Sequence, residues 1–186
     1  MRSNIHPIIS VAGRGIPFVE SLLDKSKGDA VVDYRKGDET VVQGIKDALK
    51  GRKLEHAFDA VSEHGSSANI VKALDPQGRI TLVLPWEEYK SIPPAINKTF
   101  TNVGESHKKD KGFAFMYFRL FGRGLAEGWF TPHPTEVIPG GLGGLEKGLK
   151  ALQEGKASGV KKKEARGLVP GSVFPLATRH LALDLN

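Results

Sequence analysis

No cysteine occurs among the 186 residues, so disulfides and thiolate metal sites are excluded and a reducing compartment is allowed. No apolar run approaches the roughly 18 residues that cross a bilayer. The first residues, MRSNIHPIIS, carry a charge and a short apolar stretch but neither the hydrophobic core nor the cleavage motif of a signal peptide. A cytoplasmic location without membrane association is the default expectation. The six histidines fall at no metal-ligand spacing, and His133 sits between two prolines as a turn residue would. A P-loop is missing too, because no glycine stands five positions before the Gly155-Lys156 pair. The formal net charge of +6 does not trace a nucleic-acid face. The basic residues gather in two short clusters, His107–Lys111 and Lys161–Arg166, which read as solvated surface.

What remains is a chain of ordinary composition, 39% hydrophobic and 26% charged, long enough for one domain with a real core. Its organising stretch is Glu55–Pro85, EHAFDAVSEHGSSANIVKALDPQGRITLVLP. Ala57, Phe58, Ala60 and Val61 form a short apolar run ending at Ser62 and Gly65. Ser66 or Ser67 can cap a helix through Ile70, Val71 and Leu74. Asp75-Pro76-Gln77-Gly78 reads as a turn, and Ile80–Leu84 as a buried strand. This is a βαβ unit, whose ligands sit outside the carboxyl ends of the strands. The first functional expectation therefore falls on Val61–Gly65 and Val83–Pro85.

The rest of the chain extends the pattern. Ile8–Ala12 is a strand candidate, followed by a helix from Pro17 through Leu23. Ala30–Tyr34 is a second strand, and Asp38 can cap a helix striped by Val41, Val42, Ile45, Ala48 and Leu49. The β-α alternation predicts an α/β fold with a parallel, helix-covered sheet. Beyond Pro85 the spacing predicts a loop over Trp86–Pro94, a strand over Thr99–Val103 and an aromatic-rich helix over Gly112–Leu125. An extended piece at Thr135–Pro139 and a helix striped by Leu142, Leu145, Leu149 and Leu152 follow. From Lys161 the pattern breaks, and residues 162–186 read as a divergent tail.

Few residues offer chemistry. Gly13-Arg14-Gly15-Ile16-Pro17-Phe18 follows a strand, opens a helix and has Asp33 one βαβ length later, close to the dinucleotide fingerprint. Phe18 stands where the third glycine belongs, so a plain strand–helix turn is an equal reading. Arg14 keeps independent value, because a guanidinium at a strand's end suits a ribose 2′-phosphate. Tyr34, at another strand end, fits cofactor contact or packing equally. His64 could reach a ligand or be a solvated loop residue. Ser66 and Ser67 have no adjacent base that would make them nucleophiles.

Three segments, VVDYRKGDE (Val31–Glu39), AFDAVSEHGSS (Ala57–Ser67) and HPTEVIPGGLGGLEKGLKALQEGKASGVK (His133–Lys161), resemble the medium-chain dehydrogenase/reductase superfamily. Within it they look most like the zinc-free fungal enoyl reductases that act in trans with polyketide synthases, and like quinone-oxidoreductase relatives. The resemblance covers residues 7–161 and implies a Rossmann-like domain that binds NADPH. It assigns Ile8–Ala12 to the second Rossmann strand, so Gly13–Phe18 becomes the loop that holds the 2′-phosphate. Carried over by position, Arg14 and Gly15 lie in that loop, Tyr34 contacts the adenosine-phosphate end, and Val83 and Leu84 face the nicotinamide. No catalytic residue and no metal ligand are carried over.

The resemblance also implies a first strand and a GroES-like domain that this sequence does not show. The expected sheet then lacks a strand between Ile8–Ala12 and His56–Val61, leaving both edges open. Residues 1–161 are expected to form a partial NAD(P)-binding domain, from a truncated or wrongly delimited gene or a deliberate fragment. Ser172–Leu176 or His180–Leu185 are candidates to fill the gap. The expected activity is NADPH-dependent reduction of an activated double bond in a small-molecule or acyl-thioester substrate. A polyketide synthase or a second copy is the implied partner. The alternative is a non-catalytic Rossmann-like module that binds a nucleotide or a protein through Phe113–Phe121.

Overall fold

The apolar run near the amino terminus forms a strand, β1 (Ile9–Ala12), followed by a short helix, α1 (Ile16–Glu20). The computed structural model describes residues 4–156 and 161–164, in two compact units, Met1–His133 and Pro134–Asn186. In the first unit β2 (Ala30–Asp33), α2 (Asp38–Leu49), β3 (His56–Asp59), α3 (Ser66–Val71) and β4 (Arg79–Leu82) come next. A strand β5 (Asn97–Phe100) and the long helix α4 (Lys111–Ala126) complete it. Every strand pairing is parallel. β1 pairs with β2, with Ile9 opposite Ala30 and Ala12 opposite Asp33. β4 lies between β3 and β5, with Asp59 opposite Leu82 and Leu82 opposite Phe100.

The α/β alternation therefore holds, and so does the expected seam. Among the described residues β1 and β3 each have a ladder partner on one side only. Val11 and Phe58 on these strands remain exposed, Phe58 at 62%. Each sheet keeps its own core. Val32 of β2 meets Val41, Ile45 and Leu49 of α2, while Leu74, Ile80, Leu82, Ile92 and Ile96 surround β4. Leu54 packs against both clusters. Ile80 and Leu82 are fully buried, each contributing about 1.5–3 kcal/mol.

Local expectations need several corrections. Gly37, not Asp38, is the N-cap of α2. Asp38 opens the helix, where a negative charge suits the dipole, and accepts a hydrogen bond from Asn69 Nδ2 at 2.7 Å. Gly65, not a serine, caps α3. The strand expected over Thr99–Val103 starts two residues earlier, at Asn97, and is an exposed edge whose Thr99 hydroxyl pairs with that of Thr81 at 2.8 Å. The Asp75–Gly78 turn forms as expected, closed by Gly78 N–H to the Asp75 carbonyl at 2.8 Å.

The second unit contains β6 (Thr135–Ile138), α5 (Leu145–Gln153) and β7 (Lys161–Glu164), with β6 and β7 parallel. The charged run at Lys161 thus forms a strand, and Lys162 Nζ pairs with Glu136 of β6. A Cβ on Gly148 would stand 2.9 Å from Ile138 Cδ1, so the bare face of α5 lies on β6. The candidate strands Ser172–Leu176 and His180–Leu185 lie outside the described residues. No helix among the described residues is long and apolar enough to cross a membrane.

Candidate functional site

Parallel strands direct all their carboxyl ends to one side, and ligand-binding crevices form there because the chain turns away and leaves backbone groups open. At the end of β1 the chain turns through Gly13, which is buried, and the Ile16 amide donates to the Gly13 carbonyl at 3.2 Å. The Tyr34 ring, from the end of β2, lies on Gly13. A Cβ there would be 2.6 Å from Tyr34 Cε1 and 2.7 Å from its hydroxyl oxygen, so only glycine allows this approach. Gly15 is the N-cap of α1, and the Arg14 side chain is exposed beside this contact. The structure thus lays the Tyr34 ring on the turn, residues 13–15, that carries Arg14 and Gly15.

Asp33 is not available as the acid of a dinucleotide fingerprint. Its carboxylate accepts from Arg35 Nε at 2.9 Å, Nη2 at 2.7 Å and the Arg35 amide at 3.0 Å. The Arg35 guanidinium holds the Asp33 carboxyl down at about 2. Its negative charge is spent on a neighbour, which spares Arg14 a competitor for an anionic ligand.

At the ends of β3 and β4 lies a second cluster. Asp59 is buried, and its Oδ1 accepts from the amides of Val61 at 3.1 Å and Ser62 at 2.8 Å. Its Oδ2 accepts from Ser66 Oγ at 2.7 Å. Ser62 is buried, donates from Oγ to the Asp59 carbonyl at 3.0 Å and accepts from the Val83 amide at 3.0 Å. The Leu84 carbonyl accepts from the Tyr89 hydroxyl at 2.9 Å and from the Glu87 amide at 3.3 Å. The Val83 carbonyl and the Leu84 amide have no hydrogen-bond partner among the described residues. His64 is exposed, with a left-handed φ of 53°. Beyond β5, an apolar cleft of about 220 Å³ is lined by Asn102, Phe113, Tyr117, Phe118 and Phe121.

Val83 and Leu84 therefore stand at a strand end, as expected, but outside the strand that sequence had assigned to them. Asp59 was missed as a site residue, while Ser62 and Gly13 lay within the expected stretches Val61–Gly65 and Gly13–Phe18 without being singled out. The available signal was an acid inside an apolar run, with serines three and seven positions later.

The arrangement is a Rossmann-like α/β fold of parallel strands and flanking helices, and solved oxidoreductase structures superpose on it. The CurK enoyl reductase matches with a TM-score of 0.61 at 14% identity, over 84% of this chain and 47% of that one. Mycobacterial Rv1454c in complex with NADPH matches with a TM-score of 0.57 at 16% identity, over 83% of this chain and 48% of that one. The sequence narrows the class. The trans-enoyl reductase fsr4 of Gibberella fujikuroi is 52% identical over 140 residues, 75% of this chain and 41% of the relative. The trans-enoyl reductase ACTTS2 of Alternaria alternata is 28% identical over 82% of this chain and 47% of its own length. No family model matches. The chain belongs to the medium-chain dehydrogenase/reductase superfamily, among the relatives of the fungal trans-enoyl reductases, and spans less than half the length of these two curated relatives.

Proposed function

We propose that the chain holds NADPH along the carboxyl ends of its parallel strands, as the cofactor-binding part of a reductase acting on an activated carbon–carbon double bond. An enoyl thioester or a quinone is the substrate class. The observation that carries this reading is that two complementary groups each stand at the carboxyl ends of parallel strands. Arg14, Gly15 and Tyr34 offer a cation, an open turn and a ring; Val83 and Leu84 offer an unpartnered carbonyl and amide. These groups fit the dinucleotide. The Arg14 guanidinium can take the 2′-phosphate in a bidentate grip, Gly13 lets the Tyr34 ring lie against the turn, and the Val83–Leu84 peptide can orient the nicotinamide. Bound NADPH supplies the hydride; the protein supplies its placement and the exclusion of competing geometries. The likeness to trans-enoyl reductases supports a substrate presented by a partner such as a polyketide synthase.

A second reading is a non-catalytic module that binds a protein through α4. It is favoured by the exposure of Phe113, Phe115, Met116 and Phe118 along that helix.

Titrating NADPH and NADH against Trp86 and Trp129 fluorescence, then assaying reduction of a quinone and an enoyl thioester, separates the readings. NADPH binding with turnover is the expected result. Binding without turnover supports the module, and no binding removes the cofactor assignment. Arg14→Ala should weaken NADPH about tenfold, about 1.4 kcal/mol, while leaving NADH nearly unchanged. Equal losses would remove its phosphate role.

A further inference from the structure

We propose that Ser62 is a positioning residue, whose hydroxyl, set between β3 and β4, fixes the path of Val83 and Leu84 at the nicotinamide end of the site. This rests on the dinucleotide reading above and identifies the side chain that makes that end of the site.

The parallel ladder ends where Asp59 faces Leu82. At the next rung the Val83 amide finds a hydroxyl instead of a main-chain carbonyl. Ser62 Oγ accepts from the Val83 N–H at 3.0 Å and donates its own hydrogen bond to the Asp59 carbonyl at 3.0 Å. A direct rung would span about 2.9 Å; this bridge has two links, so the strands part. That is why β3 stops at Asp59 and β4 at Leu82, while the apolar runs continue to Val61 and Leu84.

The turn that delivers the hydroxyl is itself held open. Ser62 and His64 adopt left-handed backbone at φ 58° and 53°, followed by Gly65 at 81°. Non-glycine residues adopt this conformation only at a cost, which the surroundings must offset. The buried Asp59 carboxylate does so by gathering the Val61 and Ser62 amides and the Ser66 hydroxyl. A glycine at 62 would meet the backbone demand without strain but could not form the bridge. On the far side, Tyr89 holds the Leu84 carbonyl. The Val83–Leu84 peptide is thus fixed at both flanks, and its own carbonyl and amide stay open.

The test compares Ser62→Gly with the parent chain, using NADPH and adenosine 2′,5′-bisphosphate as probes and thermal unfolding as a control. The bisphosphate can meet Arg14 and Tyr34 but has no nicotinamide. Ser62→Gly should bind NADPH about tenfold more weakly, about 1.4 kcal/mol, with bisphosphate affinity unchanged and a midpoint near the parent's. A parallel loss for both probes, or no loss for NADPH, overturns the proposal. Should Ser62→Gly lack a cooperative transition, Tyr89→Phe decides, because it frees the other flank. Loss of NADPH affinity with the bisphosphate retained supports the role, and unchanged NADPH affinity overturns it. Failure of the parent to bind NADPH removes the dinucleotide reading itself, and this proposal with it.

Discussion

Helices α2 and α5 carry equally clear apolar stripes in the sequence, and the structure treats them in opposite ways. In α2, Val41, Ile45 and Leu49 are 4%, 4% and 6% exposed, pressed against Val32. In α5, Leu145, Leu149 and Leu152 are 49%, 58% and 50% exposed, and Leu142 just before them is 85% exposed. The face that α5 turns to its two-stranded sheet is the glycine face at Gly148, matched to Ile138. A period of 3.6 residues announces a helix with an apolar side. It does not say whether a surface within the same unit covers that side.

Breaking the buried stripe should have the largest effect. Ile45→Ala should cost about 2–4 kcal/mol in urea unfolding, from lost burial and the cavity left behind. A loss below about 1 kcal/mol would mean that α2 relaxes into the space and is not held by Val32.

Acid sharpens the contrast between the units. Asp29 is buried in the first unit, and its carboxylate accepts from His6 Nδ1 at 2.8 Å, the Ile8 amide at 2.7 Å and the Asp24 amide at 2.9 Å. Burial alone would push its carboxyl up, but these donors outweigh burial and hold it below the ordinary 3.8. A depressed folded value gives stability that is fully present above the unfolded value and is lost as pH falls through the folded one. Asp29→Asn should therefore cost about 1–3 kcal/mol at neutral pH and flatten the loss of stability below pH 4. An unchanged acid limb would show that Asp29 does not govern it. The second unit's pair, Lys162 with Glu136, has a half-exposed carboxylate and should add little.

The smallest effect belongs to the exposed stripe. Leu149→Ala should change stability by no more than about 0.5 kcal/mol. A loss near that of Ile45→Ala would mean that the stripe is covered in solution.

Strand positions were legible because buried parallel strands are mostly apolar, as Ile80 and Leu82 of β4 are. Their ends were less so. Ser62 reads as a turn residue, and nothing in its neighbourhood says that its hydroxyl would stand in for a ladder rung and shorten two strands. Asn97–Phe100 escaped accurate placement because an exposed edge strand needs no apolar pattern. For the proposed site, Arg14 and Tyr34 were singled out by their position at strand ends and by resemblance. Gly13 was visible as a glycine, but its role depends on a ring that arrives from Tyr34, a contact without sequence proximity. Asp59 was hidden by its apolar neighbours, since only the folded turn gives its carboxylate three donors.

The separate pairing of β1–β2 and β3–β4–β5 bears on cooperativity. With no hydrogen-bonded ladder joining them among the described residues, the two sheets communicate through the shared Leu54 packing and the Asn69–Asp38 bond. On the proposed reading, the adenosine end, Arg14 and Tyr34, belongs to one sheet and the nicotinamide end, Val83 and Leu84, to the other. A ligand that touches both ends fastens two folding units into one, and its binding should show as a sharper calorimetric transition as well as a higher midpoint.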